Sequence, residues 1–181
     1  MQKLHWSLVF IVLLLFFIGL SVSWTDHHEP AQNKETLRQF YEEVINKHDP
    51  GAIEQFLDAD FVDHTPPPDI APGVEGVKQM FTMLFAAFPD MELSVEDMVA
   101  EGDKVASRVK VSSTHQGDFM GIAATGKPVM ITGIEIARFK AGKIVERWGN
   151  FDDLGLMQQL GAIASPAPAR ETVTLAVTGM D

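Results

Sequence analysis

Apolar side chains recur at helical spacing along the chain that follows residue 30. A first amphipathic helix is predicted to begin near Asn33, whose side chain is a suitable N-cap. Its apolar stripe consists of Leu37, Phe40, Tyr41, Val44 and Ile45. A second, short helix is predicted next, with Asp49 as its cap and Pro50 at the first helical position, where a missing N–H costs nothing.

A third amphipathic helix is predicted to end at Pro89, with a wide aromatic stripe suited to packing on a sheet. The stripe consists of Val77, Met80, Phe81, Leu84, Phe85 and Phe88. The preceding segment, FVDHTPPPDIAPG, holds too many prolines for a helix or a strand. It is predicted to be a loop that projects Asp63 and His64 beside the second helix.

The spacing of apolar residues changes to two after Met91, which indicates strands. Alternate positions from Val105 to His115 share one face of a long predicted strand, and Gly102 belongs to the turn before it. A hairpin is predicted around Ala141 and Gly142, and the segment LGLMQQLG is predicted to close the domain as a helix. Helices followed by an antiparallel meander indicate an α+β domain, placed at residues 31–161.

The predicted hairpin register brings several polar residues to one face of the sheet. If Lys140 pairs with Lys143, counting back in steps of two places Glu135 opposite Trp148, and Asn150 and Asp152 lie on the same face. A carboxylate among large apolar groups loses hydration and becomes a usable acid or base near neutral pH. This face is therefore predicted to line a pocket. The opposite face, which includes the two arginines of the hairpin, suits an oligomer interface or a covered outer surface.

The adjacent acids at the end of this hairpin have a second interpretation. An aspartate is a preferred N-cap, so Asp152 or Asp153 is expected to cap the closing helix. Strand parity assigns the cap to Asp153 and the pocket to Asp152. Glu135 has an alternative interpretation as well: it is a structural acid that forms an ion pair with Arg108 or Arg147.

His64 and His115 are predicted to orient a substrate oxygen or to be satisfied structural histidines. Their spacing fits no compact ligand motif, so no metal site is predicted. Phosphate-loop, serine-elbow and cysteine-nucleophile motifs are also absent from the sequence.

The N-terminus has the layout of a signal peptide, with Lys3 before an apolar run from Leu8 to Leu20. An uncleaved membrane anchor is the alternative, since Trp6 to Trp24 nearly spans a bilayer. Residues 1–23 therefore predict a domain outside the cytoplasm, with membrane contact only through this segment. Cleavage before Trp24 would leave 13 basic and 25 acidic residues, a net charge of −12, which disfavours nucleic acid as a partner. Residues 162–181 form a tail with a Pro/Ala linker.

The order of several short stretches resembles the SnoaL-like polyketide cyclases, or ester cyclases, of the NTF2-like superfamily. The stretches are FVDH, FPD, EGDKVASR, THQGDFMGIAATGK and GKIVERW with DDLGLMQQLG, and together they cover about Asn33 to Gly161. The resemblance implies a cone-shaped α+β barrel with a deep apolar cavity, often in a dimer. It also implies a metal-free and cofactor-free mechanism, in which an aspartate removes a proton next to a carbonyl and the enolate closes a ring.

Carried onto this chain, the resemblance makes Asp152 the catalytic general acid/base, with Asp153 as the fallback, and makes His64 and His115 pocket histidines that orient a substrate carbonyl or hydroxyl. Glu135, Trp148, Asn150, Tyr41 and Phe85 are then expected to contact a small hydrophobic substrate. Two positions depart from the family pattern: Ser113 stands where relatives commonly have glycine, and the Gly149-Asn150 pair lies where some relatives have an acid. An export signal is unusual for an enzyme that acts on cytoplasmic polyketide intermediates, and it weakens the substrate assignment more than the fold. The alternative is a non-catalytic binding or assembly domain of the same fold.

Overall fold

The computed structural model describes residues 28–164, and its first half is helical. Helix α1 (His28–Phe40) continues into a π-helical segment, Tyr41–Asn46, and a 3₁₀ helix follows at Pro50–Gln55. Asp49 caps the 3₁₀ helix by accepting a hydrogen bond from the N–H of Gly51 at 2.9 Å, as predicted. Helix α2 (Gly73–Ala87) ends before Pro89, also as predicted.

Five strands form one sheet in the order β1-β5-β4-β3-β2. Their bounds are β1 Leu57–Asp63, β2 Glu92–Glu101, β3 Lys104–Thr114, β4 Pro128–Lys140 and β5 Lys143–Phe151. Strands β2 to β5 form an antiparallel meander, and β1 joins the edge of β5 in parallel. Helix α3 (Asp153–Leu160) follows β5. The α+β fold predicted from the sequence is confirmed.

The hydrophobic core lies between the inner face of the sheet and the helices. Phe40 makes edge-to-face contacts with Tyr41, Phe56 and Phe81. Val105 and Val109 of β3 are fully buried beneath the helices. Among residues 28–164, no helix has both the length and the apolar character needed to cross a bilayer.

Two of the predicted element boundaries are wrong. Asn33 lies inside α1 and is 3% exposed, so it is a core residue and not an N-cap. Leu57–Asp63 is a strand, although it was predicted as helix end and loop. Its pairing with β5, through Leu57–Ile144 and Val62–Glu146, supplies the hydrogen-bond partners that favour an extended chain. The predicted loop is correct only after Asp63.

The predicted register of the β4–β5 hairpin is also wrong beyond its first pairs. Lys140 does pair with Lys143 across a turn in which Ala141 and Gly142 have φ of 50° and 78°. A bulge at Val145 then places an extra residue in β5, so Phe139 pairs with Ile144 but Arg138 pairs with Glu146. Glu135 consequently lies opposite Gly149, and Trp148 pairs with Ile136 on the outer face.

Candidate active site

The buried carboxylate of Glu135 is the centre of a polar network inside the fold. Glu135 projects from the inner face of β4 and is 7% exposed. Its Oε1 accepts a hydrogen bond from the hydroxyl of Tyr41, and its Oε2 accepts one from Nε of Arg147 at 2.8 Å. A buried carboxylate is tolerated when both of its oxygens are satisfied in this way.

Tyr41 joins Glu135 to strand β3 from the helical side. Its hydroxyl oxygen lies 2.6 Å from Oγ of Ser107, which is 1% exposed. The phenol has a single proton, which it donates to the carboxylate, so the Ser107 hydroxyl donates to Tyr41. Burial raises the pKa of Tyr41 well above its usual value, and the negative charge of Glu135 raises it further. Tyr41 therefore keeps its proton near neutral pH and acts as a hydrogen-bond donor.

Arg147 links Glu135 to a second carboxylate, that of Asp63 at the end of β1. Its Nη1 donates to Oδ2 of Asp63 at 3.0 Å. Burial acts to lower the pKa of Arg147, but the charges of Glu135 and Asp63 outweigh it and the net shift is upward. The guanidinium is therefore a permanent cation between two acids. Gly149 leaves it room, since a Cβ there would lie 2.7 Å from Nη2.

Thr65 fixes the orientation of Asp63 from the first turn of the following loop. Its N–H donates to Oδ1 of Asp63 at 2.9 Å, and its Oγ1 accepts the N–H of Gly149 at 2.8 Å. The Pro-rich loop is thereby tied both to the ion pairs and to β5.

An apolar cavity of about 170 Å³ opens between this loop, β1 and α2. Asp63 is the charged residue of its lining, and hydrogen bonds through Arg147 link Asp63 to Glu135, which is not part of that lining. The apolar walls are formed by Phe61, Pro66, Pro67, Ile70, Val77 and Met80, among others. An apolar recess with a few convergent polar groups is the usual form of a small-molecule site.

Three of the predicted site residues lie on the outer face of the sheet. His64 stacks on Trp148 with ring centroids 4.4 Å apart, and its Nε2 lies 3.2 Å from Oε2 of Glu146. Asn150 is exposed on the same face. The bulge at Val145 turns Trp148 and Asn150 away from Glu135, so the predicted shared face is wrong.

His115 lies far from Glu135, and Phe85 packs among other aromatic rings of the core. His115 is fully buried beside Phe88, and its Nδ1 accepts the N–H of Thr125 at 3.3 Å. It follows Ser107 by eight residues along an extended chain, roughly 26 Å. Phe85 contacts the rings of His48 and Phe81 instead.

The predicted cap and pocket assignments of the two adjacent aspartates are both wrong, because Asp152 is the cap and neither residue lines the cavity. Asp152 caps α3 by accepting the N–H of Gly155 at 2.9 Å, and it is exposed. Asp153 is the first residue of the helix and is exposed as well. Of the predicted site residues, Glu135 and Tyr41 meet inside the fold, and His64 and Trp148 meet on the outer face.

The alternative prediction that Glu135 pairs with Arg147 is confirmed, although a regular register predicts Arg147 on the opposite face. Two further network members, Asp63 and Ser107, were not predicted as site residues. Asp63 was seen as a loop residue, although the parity of Phe61 and Asp63 in a strand would have pointed both inward. Within residues 28–164, no cluster of three or more His, Asp or Glu side chains is arranged to hold a metal ion.

Comparison with known proteins agrees with this architecture. The family model described as SnoaL-like polyketide cyclase matches residues 35–160. The chain belongs to the SnoaL-like polyketide cyclase family. No curated protein matches the chain, but many solved structures share this fold with the SnoaL-like domain.

Three solved structures illustrate how this SnoaL-like chain compares with its relatives. TsrD from Streptomyces laurentii is 28% identical with a TM-score of 0.67, and the match covers 74% of this chain and 97% of TsrD. AclR from Streptomyces galilaeus, a proposed hydroxylase, is 30% identical with a TM-score of 0.69, covering 76% and 86%. IdmH from Streptomyces antibioticus, a proposed polyketide cyclase, is 33% identical with a TM-score of 0.63, covering 72% and 99%. Family membership supports a small-molecule role of the cyclase or hydroxylase type.

Proposed function

We propose that this protein is an acid/base enzyme that removes a proton next to a carbonyl of a small hydrophobic substrate and closes a ring by intramolecular aldol addition. One observation carries the proposal: a neutral phenol and a fixed cation meet at the buried carboxylate of Glu135, and the same cation is bonded to Asp63, which lines an apolar cavity. Such a set provides a base, a hydrogen-bond donor and electrostatic stabilisation of an enolate.

Glu135 is the proposed base. Its carboxylate takes the proton from the α-carbon, and the electron pair of the C–H bond becomes the enolate. The enolate carbon then attacks a second carbonyl of the same molecule, and the resulting alkoxide takes the proton back from Glu135. The reaction balances without an oxidant or a reductant, consistent with the cofactor-free and metal-free mechanism that the family resemblance implies.

Tyr41 and Arg147 are the proposed stabilising groups. Tyr41 is a donor near neutral pH because its pKa is raised by burial. When a substrate oxygen replaces Glu135 as its acceptor, the phenol stabilises the developing oxyanion. Arg147 contributes a positive charge that cannot be lost, in surroundings where charges interact strongly.

The cavity limits the proposed substrate. At about 170 Å³ it is smaller than the roughly 300–1,000 Å³ of typical ligand pockets, so it accepts a single ring as it stands. Its outer wall is the Pro-rich loop, and a larger substrate would have to displace this loop and separate Asp63 from Arg147.

The test is NMR of solvent deuterium exchange at the α-carbon of β-keto esters and cyclic ketones. Glu135→Gln should reduce exchange by about 10²-fold or more, which is the contribution of a positioned base. Glu92→Gln, a change of an exposed glutamate, is the matched control and should leave exchange unchanged. Circular dichroism of each variant separates loss of chemistry from loss of fold.

Two results would contradict this assignment. Exchange that survives in Glu135→Gln but disappears in Asp63→Asn would make Asp63, which lines the cavity, the base. Wild-type protein that binds the same ketones by calorimetry without any exchange would support the alternative, a non-catalytic binding domain. That alternative is favoured by the full pairing of the Glu135 oxygens and by the small cavity.

Location outside the cytoplasm is a separate proposal. It rests on the apolar segment within residues 1–23, which lies outside the described residues, as does the tail from residue 165. Mass spectrometry of the protein isolated from its native cells would show cleavage near Trp24 if the segment is a signal peptide. An intact N-terminus in the membrane fraction would indicate an anchor, and an intact N-terminus in the cytosol would refute export.

A further inference from the structure

The apolar cavity beside the Pro-rich loop has one ionisable side chain in its lining, that of Asp63. The other lining residues are apolar or glycine, and none of them, all within the described part of the chain, is a lysine, an arginine or a histidine. The side chain of Asp63 is 9% exposed, so water screens its charge poorly. A largely buried carboxylate of this kind favours a ligand that supplies a hydrogen-bond donor and the opposite charge.

The carboxylate of Asp63 has room for one more donor. A carboxylate offers about four acceptor sites. Its Oδ1 accepts the N–H of Thr65 at 2.9 Å and the hydroxyl of Thr65 at 3.4 Å, and its Oδ2 accepts Nη1 of Arg147 at 3.0 Å. One acceptor site, on Oδ2, is therefore left for a ligand.

The buried network behind Asp63 carries an unbalanced negative charge. It contains two carboxylates, those of Asp63 and Glu135, and one guanidinium, that of Arg147. The phenol of Tyr41 stays neutral, because burial and the charge of Glu135 raise its pKa. Arg147 is not part of the cavity lining. A second cation placed in the cavity would balance the two acids.

Two basic side chains close to the cavity in sequence are engaged elsewhere. His64 lies on the outer face of the sheet, where its Nε2 meets Glu146. Lys78 of α2 forms ion pairs with Glu54 and Glu75. Neither His64 nor Lys78 lines the cavity, so neither supplies the missing positive charge.

The N-terminus of α2 opposes a preference for cations, because Gly73 begins this helix and also lines the cavity. A helix N-terminus is equivalent to about half a positive elementary charge. Glu75 in the first turn offsets part of it, and the carboxylate of Asp63 carries a full negative charge. The negative charge therefore prevails, and the cavity should reject carboxylates.

We propose that this cavity binds an organic cation, a single apolar ring that carries a protonated amino group. The ammonium group donates to Asp63, and the ring fills the apolar part of the cavity. Phe61 lies two residues before Asp63 on the same side of β1 and also lines the cavity, where its ring attracts a cation. The inference rests on the proposed function for the choice of cavity, and together they make the substrate a carbonyl compound with an amino group.

NMR titration of the full chain near neutral pH tests this, with the amide of Thr65 as the reporter because it donates to Asp63. Benzylamine is the cationic probe, benzyl alcohol its neutral counterpart and benzoate the anion, and each has the single ring that a cavity of about 170 Å³ accepts. Methylamine carries the charge without the ring. Benzylamine should bind at least about tenfold more tightly than benzyl alcohol, as expected for a hydrogen bond to a charged group. Benzoate and methylamine should give no saturable shift.

Three variants locate the binding. Asp63→Asn should remove the preference, so that benzylamine and benzyl alcohol bind equally. Asp69→Asn, which removes an exposed acid of the same loop, is the matched control and should keep the preference. Asp63→Asn also removes the ion pair with Arg147, so Val77→Phe is a second test. It fills the cavity, leaves Asp63 in place and should abolish binding of both probes.

Tighter binding of benzoate than of benzylamine would overturn the proposal and show that the N-terminus of α2 dominates. Equal binding of benzylamine and benzyl alcohol by the wild type would also overturn it, as would benzylamine binding that survives in Val77→Phe. Deuterium exchange of neutral ketones without benzylamine binding would refute this inference alone. Benzylamine binding without any exchange would support it and count against the proposed chemistry.

Discussion

Tyr41 shows how one side chain connects burial to chemistry at the residue scale. Its ring packs in the core against Phe40, while its hydroxyl meets Glu135 and Ser107. A tyrosine buried next to a carboxylate cannot ionise easily, because a second negative charge would form in a poorly hydrated site. The phenol is thereby kept as a donor over the whole physiological pH range.

Titration of Tyr41 tests this directly, because it is the only tyrosine in the chain. Tyrosinate absorbance in the near ultraviolet should develop only well above the usual pKa of about 10. In Glu135→Gln the pKa of Tyr41 should fall, since the charge that raises it is removed, yet burial should keep it above the usual value. Titration of the wild-type phenol at its usual pKa would contradict the observed network.

At the scale of secondary-structure elements, the bulge at Val145 determines which residues of β5 face the site. The hairpin turn could be located from Ala141 and Gly142, and the alternation of both strands was visible in the sequence. A single extra residue nevertheless exchanges the two faces of β5, and no residue type in KIVERWGNF signals it. The sequence therefore predicted both strands of this hairpin correctly. It placed Trp148 on the inner face, however, where the structure has Arg147.

Helix positions were more predictable than strand β1. The stripe of α2 and the cap of the 3₁₀ helix follow from local spacing, which acts over one or two turns. Strand β1 depends on β5, more than 80 residues later in the chain, and its apolar pattern is short. Glu135 and Tyr41 were predicted to contact substrate, but their contact with each other required the tertiary fold.

Gly133 allows β4 and β5 to pack closely at the end of the hairpin. A Cβ at Gly133 would lie 2.4 Å from the ring of Phe151, over which the guanidinium of Arg147 is stacked. Gly133→Ala should therefore lower the free energy of unfolding by about 1–3 kcal/mol, the usual cost of overpacking. Urea denaturation measures this, and Thr132→Ala, a change at the exposed neighbour, should have a smaller effect. Equal losses in both variants would argue against the close packing.

Asp90 connects the end of α2 to the end of β3. Its carboxylate accepts hydrogen bonds from the hydroxyl of Ser113 at 2.6 Å and from the N–H of Thr114 at 2.7 Å. These bonds, that of Ser113 first, lower the pKa of Asp90 from 3.8 to about 2.

A lowered pKa in the folded state means that Asp90 stabilises the fold above pH 4 and that this stabilisation is lost as the pH falls toward 2. The difference in unfolding free energy between wild type and Asp90→Asn should therefore be constant above pH 4 and shrink below it. Denaturation at a series of pH values measures this difference. Asp153→Asn serves as a comparison, and an Asp90→Asn difference that does not change with pH would contradict the pKa shift.

At the scale of the whole molecule, the ion-pair network joins the π-helical segment to four of the five strands. Its members come from the π-helical segment and from four strands: Tyr41, Asp63, Ser107, Glu135 and Arg147. Each buried charge has a partner, which is the condition for placing charges inside a domain. The sheet remains open at the edges of β1 and β2, so side-chain contacts of this kind supplement its backbone hydrogen bonds.

Removal of the shared cation should have a large effect on the whole fold. Arg147→Met leaves Glu135 and Asp63 without it, and we expect a loss of about 3–5 kcal/mol at pH 8. Urea denaturation measures this loss, with Arg108→Met as the control for an exposed arginine, whose replacement should cost much less. Equal losses in the two variants would contradict the role of Arg147 as the shared buried cation.

Strand β1 has a consequence for the order in which the protein folds. Strands β2 to β5 follow one another in the chain, and each pairs with its neighbour in sequence, so they can assemble early. Strand β1 comes earlier in the chain but has no partner until β5 exists, and closing that long loop is entropically costly. Asp63 and one wall of the cavity belong to β1 and are in place only once this strand has paired. The site is therefore completed by the last strand to dock, and a brief detachment of that one strand would open it without unfolding the rest of the sheet.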